Sequence, residues 1–259
     1  MSPATRQEDG MLALQDRNVV VIGGSRGTGR QVVEMARHAG ARVLAVARQE
    51  ARLRQLEEQV PGTEVLALDA SDESSPAKVF GALQPDVLVI SGGAMPPAAP
   101  LHQQSWQEFS VNWEADVKMA FNFCKAALAA PLRAGSSVVV VSSGAARAGS
   151  PISGGYAGSK RTQMFIANYS QKESDRLGLD LSFAALAPLI QPDSEIGRHA
   201  VEGYARYLGI SEADFVKGMK APPTSAVVAA GVLEVIAKPE ESRGKVFMVA
   251  GTGLEAVSL

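Results

Sequence analysis

The sequence predicts an α/β architecture: an open, doubly wound sheet of about seven parallel strands with helices on both faces. Short β-branched runs alternate with helical stretches almost throughout the chain. The runs are apolar along their whole length, as strands buried on both faces are. No internal repeat or low-complexity linker interrupts the alternation. At 259 residues the chain fits one domain, expected over 14–259, after a disordered tail at 1–13.

The elements follow in order. Asn18 to Ile22 is a β-branched strand, and a helix from Thr28 to Ala39 stops at Gly40. Ala41 to Ala47 reads as a second strand, Glu50 to Gln59 as an amphipathic helix, and Pro61-Gly62 as the turn into a third strand, Glu64 to Leu68. A helix over Ser74 to Leu83 is broken by Pro85, and Asp86 to Ile90 is a fourth strand entering a glycine bend. Trp106 to Ala130 is a long helix with an interruption expected near Val111 to Trp113. Ser137 to Val141, Tyr156 to Arg176 and Asp180 to Ala187 give strand, helix and strand. Between 189 and 223 the pattern weakens into short helices, Glu195 to Tyr207 and Ser211 to Lys217, which reads as a lid. A helix over Thr224 to Ala237, a strand over Lys245 to Val249 and a short tail complete the chain.

Composition narrows the partners. The 25 basic and 27 acidic residues are interspersed, so no basic field points to nucleic acid or to an anionic membrane, and a small molecule is the expected partner. No apolar run approaches membrane-spanning length, and the polar Met1 to Gly10 reads as neither a signal nor a transit sequence. The lone Cys124 lies in an apolar helical pattern, which suits a buried thiol in a reducing cytoplasm. His38, His102 and His199 lack ligand spacing, so no metal site is expected.

Two stretches carry chemistry. Gly23-Gly24-Ser25-Arg26-Gly27-Thr28-Gly29 joins a buried strand to a helix; without Cβ atoms its backbone can approach a pyrophosphate, and the helix N-terminus offers free amides. It lacks the Lys-Ser/Thr of a Walker A loop, so a dinucleotide is expected there. The second stretch runs from Ser143 to Lys160. Tyr156 and Lys160 are four apart, on one face of a helix. An isolated tyrosine has a pKa of about 10, and a nearby ammonium favours the phenolate, so the pair reads as an acid/base device.

The spacing of Gly23, Gly27 and Gly29, together with Tyr156 and Lys160, resembles the short-chain dehydrogenase/reductase family from about Leu14 to Gly253. The resemblance implies a Rossmann-type fold and an NADP(H)-dependent oxidoreductase that interconverts a ketone and a secondary alcohol. It implies Tyr156 as proton donor, Ser143 as its partner on the substrate oxygen, Lys160 on the nicotinamide ribose and Asn112 as the residue that kinks the long helix and anchors a relay water. Ser142 competes for the serine role; neighbours in a strand point opposite ways, and the family spacing selects Ser143.

The cofactor contacts implied include Ser25, Thr28, Asp69 with Ala70 near the adenine, Ser91, Gly92 and Gly93 near the ribose, and Pro188, Leu189 and Ile190 near the nicotinamide. Ile22 stands where the family's glycine motif has threonine, and Leu189 where it has glycine after proline. The second strand ends in Val46-Ala47-Arg48 with no acid for the ribose hydroxyls, and Arg26 adds another cation, which favours NADP over NAD.

The substrate pocket is expected to include Ala94, Met95, Pro96, Ala145, Ile152, Leu189, Tyr204 and Tyr207. These are largely apolar, which suits a neutral carbonyl compound, although Arg147 and Arg198 leave an acidic substrate open. The apolar faces of the two long helices imply a homodimer or homotetramer, as in the family. A non-catalytic NADP(H)-binding sensor is the rival reading; it has no need of the group Ser143, Tyr156 and Lys160.

Overall fold

The structure, a computed structural model, describes residues 13–259. The expected tail at 1–13 therefore lies, but for its last residue, outside the described residues. The strands are β1 Asn18–Ile22, β2 Arg42–Ala47, β3 Thr63–Ala67, β4 Val87–Ile90, β5 Ser137–Val141, β6 Ser182–Pro188, β7 Val246–Ala250 and β8 Gly253–Val257. The helices are α1 Gly27–His38, α2 Glu50–Gln59, α3 Ser75–Ala82, α4 Trp106–Asn112, α5 Lys118–Ala129, α6 Ala145–Ala148, α7 Tyr156–Leu177, α8 Glu195–Leu208, α9 Glu212–Lys217, α10 Ser225–Ala237 and α11 Pro239–Ser242.

The sheet has the order β3-β2-β1-β4-β5-β6-β7-β8. Its first seven strands are parallel, with registers such as Ile22 opposite Ile90 and Val140 opposite Ala185. These are the parallel strands the sequence predicts; the end of the chain differs. The residues expected as a terminal tail form β8, which returns antiparallel on β7, Ala250 pairing with Gly253. The chain reverses between β1 and β4, and a cleft opens beyond the strand ends at this switch point.

Strand pleating divides the core in two. On one face Val20, Ile22, Leu88, Ile90, Val138 and Val140 pack with Met119, Phe123 and Met164 from α5 and α7. On the other, Val19, Val21, Val87, Val89 and Val139 meet Val32 and Val33 of α1, Leu53 of α2 and Val232 of α10. Cys124 is buried in the first layer, and that burial pushes its thiol up to about 12, against a hydrogen bond with Ser170.

The long helix breaks where the sequence places its interruption. A capping box on Ser105 and Glu108 starts α4; after Asn112 the backbone widens into a π segment, Trp113–Val117, before α5 resumes. Asn112 is fully buried and its Nδ2 donates to the C=O of Ala94 at 3.0 Å, tying the break to the loop after β4.

Candidate functional site

Beyond the ends of the parallel strands lies a cavity of about 1220 Å³. Its floor is the glycine turn after β1. Gly29 packs so closely on that turn that a Cβ would lie 2.2 Å from the carbonyl oxygen of Gly23, so a side chain is excluded there. The first turn of α1 has no acidic residue and no side-chain cap, leaving its amides for an anion. Gly23, Ser25, Arg26, Gly27 and Thr28 line the cavity; Gly29 does not reach it and serves the turn from behind.

One wall comes from β5 and α7. Ser142 Oγ donates to the C=O of Lys160 at 2.7 Å, binding the end of β5 to the first turn of α7. That bond occupies the Ser142 hydroxyl. Ser143, half-buried, lines the cavity with Tyr156 and Lys160, and its Oγ accepts from the N–H of Ala145 at 3.2 Å. The Lys160 ammonium lies 5.5 Å from the centre of the Tyr156 ring.

Beneath the wall is a charge the sequence did not announce. Asp116, in the π segment, is completely buried, and its Oδ2 lies 3.0 Å from Lys160 Nζ. Asp116 Oδ1 accepts from the N–H of Ala94 at 2.9 Å and from Asn112 Nδ2 at 3.3 Å. Gln163 completes the cluster: its Oε1 accepts from Lys160 Nζ at 3.1 Å and its Nε2 donates to the C=O of Asp116 at 2.9 Å. Burial pushes the lysine ammonium down, but the charges of Asp116 and Tyr156 and the contact with Asp116 push it up, and the net direction is up. Asn112 stands behind the wall rather than in it, with its Oδ1 unpartnered.

The remaining predicted residues divide as follows. Arg48, Asp69, Ala70, Ser91, Gly92, Gly93, Pro188, Leu189 and Ile190 line the cavity, as do Pro96, Ala145, Ile152, Arg198 and Tyr204. The Asp69 carboxyl is held below the usual range, first by the N–H of Ser71, against partial burial. Met95 is 39% exposed on the irregular loop after β4 and is not among the residues that line the cavity. Tyr207 and Arg147 are exposed and also outside the wall. Tyr204 stacks on Phe215 with ring centres 5.2 Å apart, joining α8 to α9, and His199 Nε2 lies 3.0 Å from the C=O of Pro96.

At the rim Glu195, the first residue of α8, ion-pairs with both Arg26 and Arg52, its Oε1 lying 2.7 Å from Arg52 Nη1. Thr28 Oγ1 donates to Gln191 Oε1 at 2.8 Å, a second tie between the glycine turn and the segment leading into α8. Neither Glu195 nor Arg52 stood out in the sequence, since both read as charges on amphipathic helices. Among the described residues no group of His, Cys, Asp and Glu is arranged to hold a metal, and no helix is long and apolar enough to cross a membrane.

Comparison with known proteins places this arrangement among relatives. A sequence model described as short chain dehydrogenase matches residues 17–188. The L-xylulose reductase of Bos taurus is 31% identical over 113 residues, covering 42% of this chain and 46% of that protein. The carbonyl reductase (NADPH) 2 of Sus scrofa is 26% identical over 102 residues, covering 39% and 42%. These alignments span less than half the length of either relative. A solved short chain dehydrogenase from Salmonella enterica serovar Typhi superimposes with a TM-score of 0.75 at 20% identity, covering 91% of this chain and 96% of that one. The last likeness is one of fold.

Proposed function

The chain belongs to the short chain dehydrogenase family, and on that premise we propose that it is an NADP(H)-dependent oxidoreductase interconverting a ketone and a secondary alcohol. The observation that carries the proposal is that Ser143, Tyr156 and Lys160 line one cavity with the glycine turn. Each residue alone has a structural reading; four features of one reaction converging on one cleft do not.

A reduced nicotinamide supplies the hydride. The protein's part is the oxygen and its proton. As negative charge builds on the carbonyl oxygen, Tyr156 donates its hydroxyl proton to it, and Ser143 hydrogen-bonds the same oxygen. Lys160 keeps a positive charge behind the tyrosine, favouring the phenolate left after transfer. In the oxidative direction Tyr156 takes the alcohol proton back. Asn112 ties the break in the long helix to the loop after β4 and donates to Asp116, the partner of Lys160.

The dinucleotide would lie along the glycine turn, with its pyrophosphate at the N-terminus of α1, Asp69 and Ala70 towards the adenine, Ser91 to Gly93 towards the ribose, and Pro188 to Ile190 towards the nicotinamide. NADP is favoured over NAD by Arg26, Arg48 and Arg52 lining the cavity near the end of β2, where no carboxylate follows the strand. The NADPH in the name of the porcine relative supports the same choice. Ile152, Leu189, Ile196 and Pro96 give the substrate end an apolar wall, which suits a neutral ketone. The segment 189–223, carrying α8 and α9, acts as the lid. Trp106, Phe121 and Tyr169 are 73%, 51% and 60% exposed on α4, α5 and α7, an apolar surface that supports pairing as a homodimer or homotetramer.

A panel of ketones and secondary alcohols, assayed with NADPH and NADH in parallel, tests the proposal. Turnover of a neutral ketone with NADPH in preference to NADH is expected. Saturable NADPH binding with no turnover of any member would instead favour the sensor reading.

A further inference from the structure

Lys160 does not stand alone behind Tyr156. Its ammonium is held from the interior side by Asp116, with side chains 6% and 1% exposed respectively. A buried carboxylate is costly unless paired and hydrogen-bonded; here one oxygen accepts from Ala94 N–H and Asn112, and the other, with no hydrogen bond of its own, is ion-paired with the ammonium. Three features of the chain make room for it. Position 116 falls on the buried face of the long helix, the face that Met119, Ala120 and Phe123 continue. Asn112, one helical turn earlier, donates to it. Gly93 leaves its space, since a Cβ there would lie 2.8 Å from Asp116 Oδ2.

The lysine charge therefore faces two acidic groups across the wall: Asp116 always, and Tyr156 when it ionises. We propose that Asp116 is a positioning residue that fixes the Lys160 ammonium and divides its charge, thereby setting the pH at which Tyr156 gives up and regains its proton. The proposal rests on Tyr156 being the proton donor. The groups packed around Asp116 are these. Lys160 faces it from α7 together with the neutral Gln163, and Tyr156 lies on the lysine; the loop after β4 contributes the backbone N–H of Ala94, and Asn112 is neutral. The carboxylate offsets part of the ammonium's field at the phenol. Without it, and wherever Lys160 stays protonated, the whole positive charge acts on Tyr156, and the phenolate forms at lower pH.

The test is Asp116→Asn, which keeps the volume and removes the charge. In the cofactor-free protein, the ultraviolet tyrosinate signal of each form minus that of its Tyr156→Phe counterpart reports Tyr156 alone. The expected result is a midpoint moved acidward by about one pH unit. The pH profile of alcohol oxidation, which needs the phenolate, should shift the same way, and Asp116→Glu should restore the original midpoint. If Asp116→Asn does not fold, Asp116→Ser, which admits water to the ammonium, carries the same expected shift. A midpoint that stays put or moves alkaline in the folded variant, with rates lowered equally at all pH values, would reduce Asp116 to a structural role and overturn the proposal. Failure of the wild-type protein to turn over any carbonyl would count against the oxidoreductase reading, and the tyrosinate titration would still decide the role of Asp116.

Discussion

Two ion-pair clusters border the same cleft, and they are built in opposite ways. Lys160 and Asp116 meet beneath the wall, almost wholly excluded from water. Arg26, Arg52 and Glu195 meet at the rim, each with more than a third of its side chain exposed. At the rim, water and salt screen the charges, and such pairs contribute about 0–1 kcal/mol. Under the proposed function a ligand phosphate takes the place of the Glu195 carboxylate there, since exposed arginines give up little when they change partner. Beneath the wall there is no solvent to take over from either partner. Under the proposed function the difference divides the tasks: charges that must stay put for proton transfer are buried, and charges that must exchange for binding are exposed.

The largest expected effect breaks the buried pair. Lys160→Met leaves Asp116 as an unpaired buried carboxylate, and the free energy of unfolding in denaturant should fall by about 3–5 kcal/mol. Adding Asp116→Val should recover most of that loss without restoring activity. An unchanged denaturation midpoint in Lys160→Met would contradict the buried pairing.

The same pair carries a pH signature. The Lys160 ammonium is raised above the ordinary lysine value, so its stabilisation is fully present below that value and is lost as pH rises through the raised one. Wild-type stability should therefore fall on the alkaline side, and in the doubly apolar variant that fall should be smaller. The Glu195 carboxyl is instead held down, first by its hydrogen bond to Arg52, against partial desolvation, with the charge of Arg26 next. Its contribution is present above the ordinary glutamate value and is lost as pH falls through the depressed one.

Smaller effects belong to the rim. Glu195→Gln removes the internal competitor for two arginines, and NADPH should bind up to about fivefold more tightly, with stability changed by less than about 1 kcal/mol. Fluorescence titration of NADPH measures the first and denaturant unfolding the second. Arg52→Ala should weaken NADPH binding more than NADH binding, and added salt should narrow the gap between the two cofactors. Equal losses for both would place the 2'-phosphate elsewhere.

What the sequence made legible was local. The glycine turn and the pair Tyr156 and Lys160 are set by spacing along one segment, and the first seven strands by uninterrupted apolar runs. Residues 253–257 read as a tail because their strand character comes from pairing with β7 after a tight reversal, with Gly253 at φ +115. Asp116 read as one more polar position on a helix, since the lysine that pairs with it lies on α7, a distant segment of the chain. Glu195 is a favourable first-turn acid on α8, and nothing in its neighbourhood along the chain points to Arg26 or Arg52. Met95 was expected at the pocket from its position after β4, and it stands 39% exposed on an irregular loop whose path the sequence does not fix. In each case the missing information is tertiary: which distant segment supplies the partner.

The central claim is that the Tyr156 hydroxyl is the proton donor to a carbonyl oxygen in this cleft, and Tyr156→Phe tests it most directly. With a ketone that the wild-type protein reduces, turnover should fall by about 10²–10⁴-fold, while NADPH titrates the variant as tightly as it does the wild type. Turnover at the wild-type rate in that variant would contradict the account.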